Sequence, residues 1–397
     1  MTRDAMIYLD HNSTTPLLDE VAAAMAPWQT ERFGNPASQH AVGRRARRAL
    51  EKAREEIGRM LGANLSGSQP DRVLFTSGGT EANNLAMLGS LGGPLMQSPP
   101  GEVILSPIEH PSVAAVAELL ERRGWTIHRL GVSRDGIVEP QTLDEPLSER
   151  TRLVCVMLAN NETGVIQPVA EIARRCQAAG VPLHTDAAQI AGKLPVNFRA
   201  IGAGTMTIAA HKFHGPLGIG ALVIRGDVEI DPLVVGGFQQ EGLRGGTESV
   251  ALAVGMHAAL AAWEREQQGR IERMSALRDE LEQRLIEGFD GRVVINGASA
   301  ERLPHTSNVA LEGVDRQALV MALDLEGVAC STGSACASGS SEPSPTLVAM
   351  GCPADVLAGS VRFSLGATTT HADVVAATEK VLAVAARMRA AGRTVCR

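Results

Sequence analysis

Arg72-Val73-Leu74-Phe75-Thr76-Ser77-Gly78-Gly79-Thr80-Glu81 is a short apolar run, then a pair of glycines, then the onset of a helical pattern from about Thr80. A run of this kind suits a strand buried on both faces, and the glycines let the chain turn sharply into a helix. The alternation repeats downstream. Val103-Ile104-Leu105 precedes a helical stretch over Ser112–Arg123, and Trp125–Leu130 reads as the next strand. The continuous apolar run Leu153–Leu158 precedes a helix over Pro168–Ala179, and Val181–His184 and Gly220–Ile224 complete the strand series. Continuous apolar strands separated by helices predict an α/β fold with a mainly parallel sheet covered on both faces.

Beyond this region the pattern changes. Residues 249–288 form one long amphipathic stretch with Leu260, Trp263, Ile271, Met274, Leu281 and Leu285 near one face, the pattern of a helix linking two domains. Val293–Ile295, Asn308–Leu311, a helix over Asp315–Leu325, a small-residue loop at 331–345, a strand over Val361–Leu365 and a terminal helix at 371–391 then predict a smaller α+β domain. No repeat of domain-building length is visible.

Composition narrows the function classes. The chain has 397 residues, 37 basic and 44 acidic, for a formal charge of −7. An acidic balance argues against nucleic acid as the main partner, and only 3% aromatic residues argue against a base-stacking platform. Six cysteines are too sparse for a secreted disulfide scaffold and fit a reducing compartment, so a cytoplasmic protein is expected. The N-terminal residues 1–6 show no apolar leader pattern. The longest uncharged stretch, Ala82–Gly101, holds Asn83, Asn84, four glycines and three prolines, which would leave polar groups unsatisfied in lipid, so no membrane span is expected.

Three local arrangements carry chemistry. His211-Lys212 follows the apolar stretch Met206–Ala210 and precedes Gly215-Pro216. It reads either as a surface lysine at a loop start or as a lysine whose burial makes it a better amine nucleophile. The turn Ser77-Gly78-Gly79-Thr80 offers free backbone N–H groups and a positive helix end, with the Thr80 hydroxyl beside them, where a phosphate can sit. It matches neither a dinucleotide fingerprint nor a P-loop. Asp186, in Leu183-His184-Thr185-Asp186-Ala187-Ala188-Gln189, falls at the C-terminal end of a strand, the edge where open α/β sheets bind ligands. It reads either as a helix N-cap or as a carboxylate that keeps a pyridinium nitrogen protonated. Together, a phosphate turn, a strand-end Asp and a Lys twenty-six residues later are the parts of a pyridoxal-phosphate site.

These elements and their order resemble the class V aminotransferase superfamily of fold type I pyridoxal-phosphate enzymes, and more closely the cysteine desulfurases. The resemblance runs from Tyr8-Leu9-Asp10-His11-Asn12-Ser13-Thr14-Thr15-Pro16 to Val361-Arg362-Phe363-Ser364-Leu365-Gly366. Between them stand Gly34-Asn35-Pro36-Ala37-Ser38, Glu109-His110-Pro111, Asn160-Asn161-Glu162-Thr163-Gly164 and Gly246-Thr247-Glu248, in the family's order. The resemblance implies a large cofactor-binding domain at 17–260 with a mainly parallel seven-stranded sheet. It implies a smaller α+β domain formed by 1–16 and 261–397. It also implies roles. Lys212 would hold the cofactor as a Schiff base and move the substrate's Cα proton, Asp186 would pair with the ring nitrogen, and Gln189 would bind the phenolic oxygen. His110 would stack on the ring. Gly79, Thr80 and His211 would bind the phosphate, and Thr247 would reach it from the partner in a homodimer. Asn161 and Arg362 would hold the carboxylate of L-cysteine, Arg362 as a bidentate fork.

Cys336 lies in Gly333-Ser334-Ala335-Cys336-Ala337-Ser338-Gly339-Ser340-Ser341-Glu342-Pro343-Ser344. An exposed small-residue loop suits a thiolate that enters a site, attacks sulfur and leaves carrying it. In the resembling family this cysteine takes the substrate's sulfur as a persulfide and passes it to an acceptor. The long-loop form matches the group that serves general iron–sulfur assembly, so a sulfur-acceptor or scaffold protein is the implied partner. Cys155 and Cys176 read as inert core thiols. A zinc site of Cys330, Cys336 and Cys352 lacks paired ligand spacing, so no metal is expected. Two positions depart from the family. Ala209 stands where a hydroxyl residue commonly contacts the phosphate, and Leu217 where a basic residue is usual. Thr207–Phe213 and Pro343-Ser344-Pro345 also resemble the related selenocysteine lyases, which is the alternative activity.

Overall fold

The computed structural model describes residues 6–93, 99–333 and 342–395. A two-residue strand β1 (Ile7–Tyr8) precedes helices α1 (Asp19–Gln29) and α2 (Ala41–Met60). The alternating region runs β2 (Arg72–Thr76), α3 (Gly79–Ser90), β3 (Glu102–Leu105), α4 (Pro111–Arg122), β4 (Thr126–Arg129), β5 (Thr151–Cys155), α5 (Val169–Ala178), β6 (Leu183–Asp186), the single turn α6 (Phe198–Ile201), β7 (Thr205–Ala209) and β8 (Gly220–Ile224). The 39-residue helix α7 (Val250–Gly288) follows. The remainder is β9 (Val293–Ile295), β10 (Thr306–Leu311), α8 (Arg316–Leu325), β11 (Val328–Ala329), α9 (Pro345–Ala349), α10 (Ala354–Gly359), β12 (Ser360–Ser364) and α11 (His371–Val395).

The main sheet has seven strands in the order β2-β8-β7-β6-β5-β3-β4. Pairs β3–β4, β3–β5, β5–β6 and β6–β7 are parallel, and β8 alone runs against its neighbours β7 and β2. The α/β, mainly parallel fold read from the sequence is therefore the observed one. The strand series read from the sequence omits β7. Its sequence, Thr205-Met206-Thr207-Ile208-Ala209, alternates hydroxyl and apolar side chains instead of forming a continuous apolar run, yet all five residues are buried. A Thr fits a covered pleat when the backbone is fully paired, and β7 is paired on both sides, by β6 and β8. The apolar run Leu153–Leu158 leaves the sheet after Cys155, although Val156 and Leu158 still donate to the carbonyls of His184 and Asp186 at 3.1 and 2.9 Å.

One large apolar core joins the sheet to α1, α2, α5 and the first half of α7, through Val21, Leu50, Ile57, Ile172, Met206, Met256 and Leu260 among others. A second core is built from Leu9, the second half of α7 (Leu277, Leu281, Leu285), β10, β12, α8 and α11. It backs the antiparallel sheet β12-β10-β9, while β1 pairs in parallel with β11 and brings the N-terminal segment to this part. The amphipathic pattern at 249–288 is α7 itself, N-capped by Ser249; its Ile271 is half-buried where the other five named apolar side chains are buried. Among the described residues no helix is long and apolar enough to cross a membrane.

Candidate active site

The strands set the positions. Asp186 ends β6 in register with Thr207 of β7, and a single 3₁₀ turn, Ala210–Lys212, carries Lys212 just past the end of β7. Thr76, at the end of β2, lies opposite Gly220 of β8, and Gly220 lies opposite Ala209 of β7. The start of α3, Asp186 and Lys212 thus lie on one edge of the sheet. The turn into α3 fits tightly against β8, since a Cβ on Gly220 would come within 2.6 Å of the Gly78 carbonyl carbon. A Cβ on Gly79 would rest on the Ala209 methyl at 3.5 Å, so the first turn of α3 leans on β7 where the family commonly has a hydroxyl. Above Gly78 there is open space, with nothing within 4 Å of an added Cβ, and Thr80 is exposed there. A helix N-terminus facing open space offers its amides to an anion.

Asp186 is 7% exposed. Its Oδ1 accepts from the Ala188 amide at 2.8 Å and its Oδ2 from Asn83 Nδ2 at 2.7 Å. Gln189 donates through Nε2 to the Asn12 carbonyl at 3.1 Å, while its buried Oε1 has no partner. His110 caps α4, its Nδ1 accepting from the Ser112 amide at 3.1 Å. Burial lowers the His110 pKa, Asp186 raises it and Lys212 lowers it further, so the imidazole senses both charges. The helix-cap role and a place beside Asp186 and Lys212 are thus compatible in one side chain.

Lys212 is half-buried, and its Nζ donates to the carbonyls of Asn12 at 2.6 Å and Ser13 at 2.9 Å. Its own carbonyl accepts from Lys193 Nζ at 2.5 Å. His211 places Nδ1 3.2 Å from Thr14 Oγ1, and burial takes its pKa down to about 4. His11 and His214 are likewise lowered to about 3 and about 4, and His305 well below its ordinary value, each chiefly by burial. All four imidazoles sense the charge of Lys193, and their lowered pKa values make them hydrogen-bonding groups there and not charges.

Arg362, 1% exposed, sits on the edge strand β12 but is covered by the N-terminal segment. Its Nη2 donates to Asp10 Oδ1 at 2.7 Å and Ser13 Oγ at 2.9 Å, and its Nη1 to the carbonyls of Asn161 at 2.9 Å and Gly333 at 3.2 Å. Nε alone has no partner. The fork expected to face a substrate carboxylate is thus occupied by Asp10. Asn161 adjoins it and is 8% exposed. Thr247 is exposed, two residues before the N-cap of α7, and among the described residues no hydrogen bond ties it to Lys212 or Asp186. Cys336 lies outside the described residues. Cys155 and Cys176 are buried, and burial pushes the thiol of Cys176 up to about 12 and raises that of Cys155 well above its ordinary value.

Sequence reading gave no role to Asp10, Asn12, Ser13, Asn83, Ser112, His184 or Lys193, all of which touch these groups. For Asn83 and Lys193 a signal existed. Asn83 shares the buried stripe of α3 with Ala82, Leu85 and Ala86, and Lys193 follows the short apolar run Ile190-Ala191-Gly192.

The family model described as aminotransferase class V matches residues 7–376. Cysteine desulfurase IscS of Dictyoglomus turgidum is 42% identical over 93% of this chain and 91% of its own length. Cysteine desulfurase NifS of Azotobacter vinelandii is 37% identical over 97% and 94%. A solved NifS-like protein superposes with a TM-score of 0.88 at 31% identity, covering 96% of this chain and 100% of that one. The chain belongs to the class V aminotransferase family, in the group formed by the cysteine desulfurases.

Proposed function

We propose that the chain is a pyridoxal-phosphate-dependent cysteine desulfurase, converting L-cysteine to L-alanine and holding the sulfur as a persulfide on Cys336 for an acceptor protein of iron–sulfur or other sulfur-cofactor assembly. The observation that carries the reading is the strand register that collects the N-terminus of α3, Asp186 and Lys212 on one sheet edge. These groups fit a phosphorylated pyridine. Open space above Gly78 suits a phosphate, Asp186 suits a ring nitrogen, and the unpartnered buried amide oxygen of Gln189 marks a polar group able to turn toward a ligand. When bound, the cofactor supplies an electron sink next to the substrate's Cα.

The residues divide the remaining work. Lys212 Nζ would bind the cofactor and then take the Cα proton. Asp186 would keep a proton on the ring nitrogen, Gln189 would bind the phenolic oxygen, and His110 would cover the ring. Gly79, Thr80 and His211 would hold the phosphate, with Thr247 reaching it from the other subunit of a homodimer. Asn161 and Arg362 would take the carboxylate of L-cysteine, Asp10 giving way at the guanidinium. The Cys336 thiolate would attack the substrate sulfur. An S–S bond forms, the Cβ–S bond breaks with its electron pair staying on carbon, and that carbon takes up a proton on the way to alanine. Exposed Phe33, Leu217, Val235 and Phe238 supply apolar surface suited to a second copy. The two apolar cores support a cofactor-binding unit at 17–260 and a smaller unit from 1–16 and 261–397, with α7 shared. The sparse cysteines support a cytoplasmic location.

The test is direct. Cys336→Ser should keep the visible band of bound cofactor yet form neither alanine nor persulfide from cysteine, and Lys212→Ala should lose the band. Wild-type turnover in the first variant, or an unchanged spectrum in the second, would overturn the reading.

A further inference from the structure

Asn83 lies on α3, one turn beyond Gly79 and Thr80, and is 1% exposed. It joins groups that the chain delivers from three other elements, α4, β6 and β7. Its Nδ2 donates to Asp186 Oδ2 at 2.7 Å and to Ser112 Oγ at 2.8 Å. Ser112 Oγ lies 2.7 Å from His110 Nδ1, which already accepts from the Ser112 amide, so the hydroxyl is the donor. On its other side Asn83 Oδ1 lies 3.1 Å from His184 Nε2, and His184 Nδ1 lies 2.8 Å from Thr205 Oγ1. Since Oδ1 can only accept, His184 carries its proton on Nε2 and takes a hydrogen bond from Thr205. By the same logic His110 carries its proton on Nε2. Every bond in the network has one direction, and the amide of Asn83 sets it.

We propose that Asn83 is a positioning residue that fixes the orientation of the Asp186 carboxylate and the tautomer of His110 together, and ties both to the helix turn that receives the phosphate. The inference rests on the reading of the site as one for pyridoxal phosphate. Its physical basis is that Asn83 and the Ala188 amide each donate to one oxygen of a buried carboxylate, which holds the group in a single orientation toward a ring nitrogen. The titratable groups around Asp186 are His184 on its own strand, His110 and Glu109 before α4, and Lys212 beyond β7. His184 and His110 are both lowered by burial and stay neutral, so they leave the carboxylate to its two donors. An amide at position 83 is the one uncharged group that can donate toward Asp186 and Ser112 while accepting from His184.

Asn83→Asp keeps the shape and removes the donor, placing a second carboxylate beside Asp186. Two carboxylates this close share a proton, so the visible band of bound cofactor should titrate about one pH unit or more away from wild type. Cysteine turnover should fall roughly tenfold or more in kcat with KM little changed, as expected for a misplaced reacting group. Asn83→Ala, a favourable substitution for a helix, should show the same kcat loss and weaker uptake of pyridoxal phosphate by the apoprotein, and it carries the test if Asn83→Asp does not fold. Wild-type titration and kcat in a folded variant would overturn the inference, including when only the apoprotein melting temperature falls. Failure of the wild type to take up the cofactor would instead overturn the parent reading.

Discussion

Lys193 offers a test that needs no assumption about the reaction. The side chain is 2% exposed, and its Nζ donates to the carbonyl of Lys212. Burial, reinforced by the nearby Lys212, lowers its pKa from 10.5 to about 7. The unfolded chain keeps the ordinary value. Below pH 7 both states hold the proton, and the folded state bears the full cost of a buried charge. Between pH 7 and 10.5 only the unfolded state still binds it, so stability rises with pH across that window and the cost is gone above it. At about 1.4 kcal/mol per pH unit the upper bound is roughly 5 kcal/mol. Lys193→Met keeps the volume and removes the charge, but leaves the Lys212 carbonyl without this donor at a pH-independent cost of about 1–3 kcal/mol. The variant should therefore exceed wild type in urea midpoint near pH 6.5 and lose that advantage by pH 9.5. The folded-state imidazoles that sense Lys193, those of His11, His211 and His214, are lowered to about 3, about 4 and about 4, below the range tested. A difference that stays flat with pH would refute the reasoning.

Two further outcomes follow from buried carboxyls. Asp71, whose side chain is 0% exposed, accepts from Arg199 Nε and Nη2 at 2.7 and 2.6 Å and from the amides of Asn64 and Gly226 at 2.7 and 3.0 Å. Asp71→Ala should cost roughly 3 kcal/mol in chemical denaturation, and an unchanged midpoint would contradict the ion pair. Glu109 accepts from the Met157 amide, and burial raises its pKa from 4.5 to about 8. The stability its neutral form allows is present below pH 4.5 and is lost as pH rises through 8, so Glu109→Gln should match wild type near pH 5 and exceed it at pH 9. Parallel stability curves from pH 5 to 9 would reject that assignment.

The parts of the site that were legible in sequence are those with a local signature. The glycine turn before α3, the strand-end Asp186 and the lysine after an apolar stretch each announce themselves within ten residues. The missing parts depend on long-range pairing. Asn12 and Ser13 hold Lys212 across 200 and 199 residues, and Asp10 meets Arg362 across 352. No local pattern specifies such contacts, and only the ordered resemblance hinted that Tyr8–Pro16 matters. Arg362 shows the same limit. An arginine on an edge strand reads as solvated, but the bridges of Asp10 to Ser364 and Ser331 to Arg362 cover that edge. β7 escaped because its two threonines imitate the exposed face of an ordinary strand.

Helix α7 extends some 58 Å at about 1.5 Å per residue, and its two halves serve different cores. Met256 and Leu260 belong to one core, Leu277, Leu281 and Leu285 to the other, with the buried Arg270 between them. A cut anywhere in this helix would strip an apolar stripe from one half of the molecule. The two halves are therefore obligate companions: neither can be expressed, inherited or degraded as a separate module without exposing the surface that the other was made to cover.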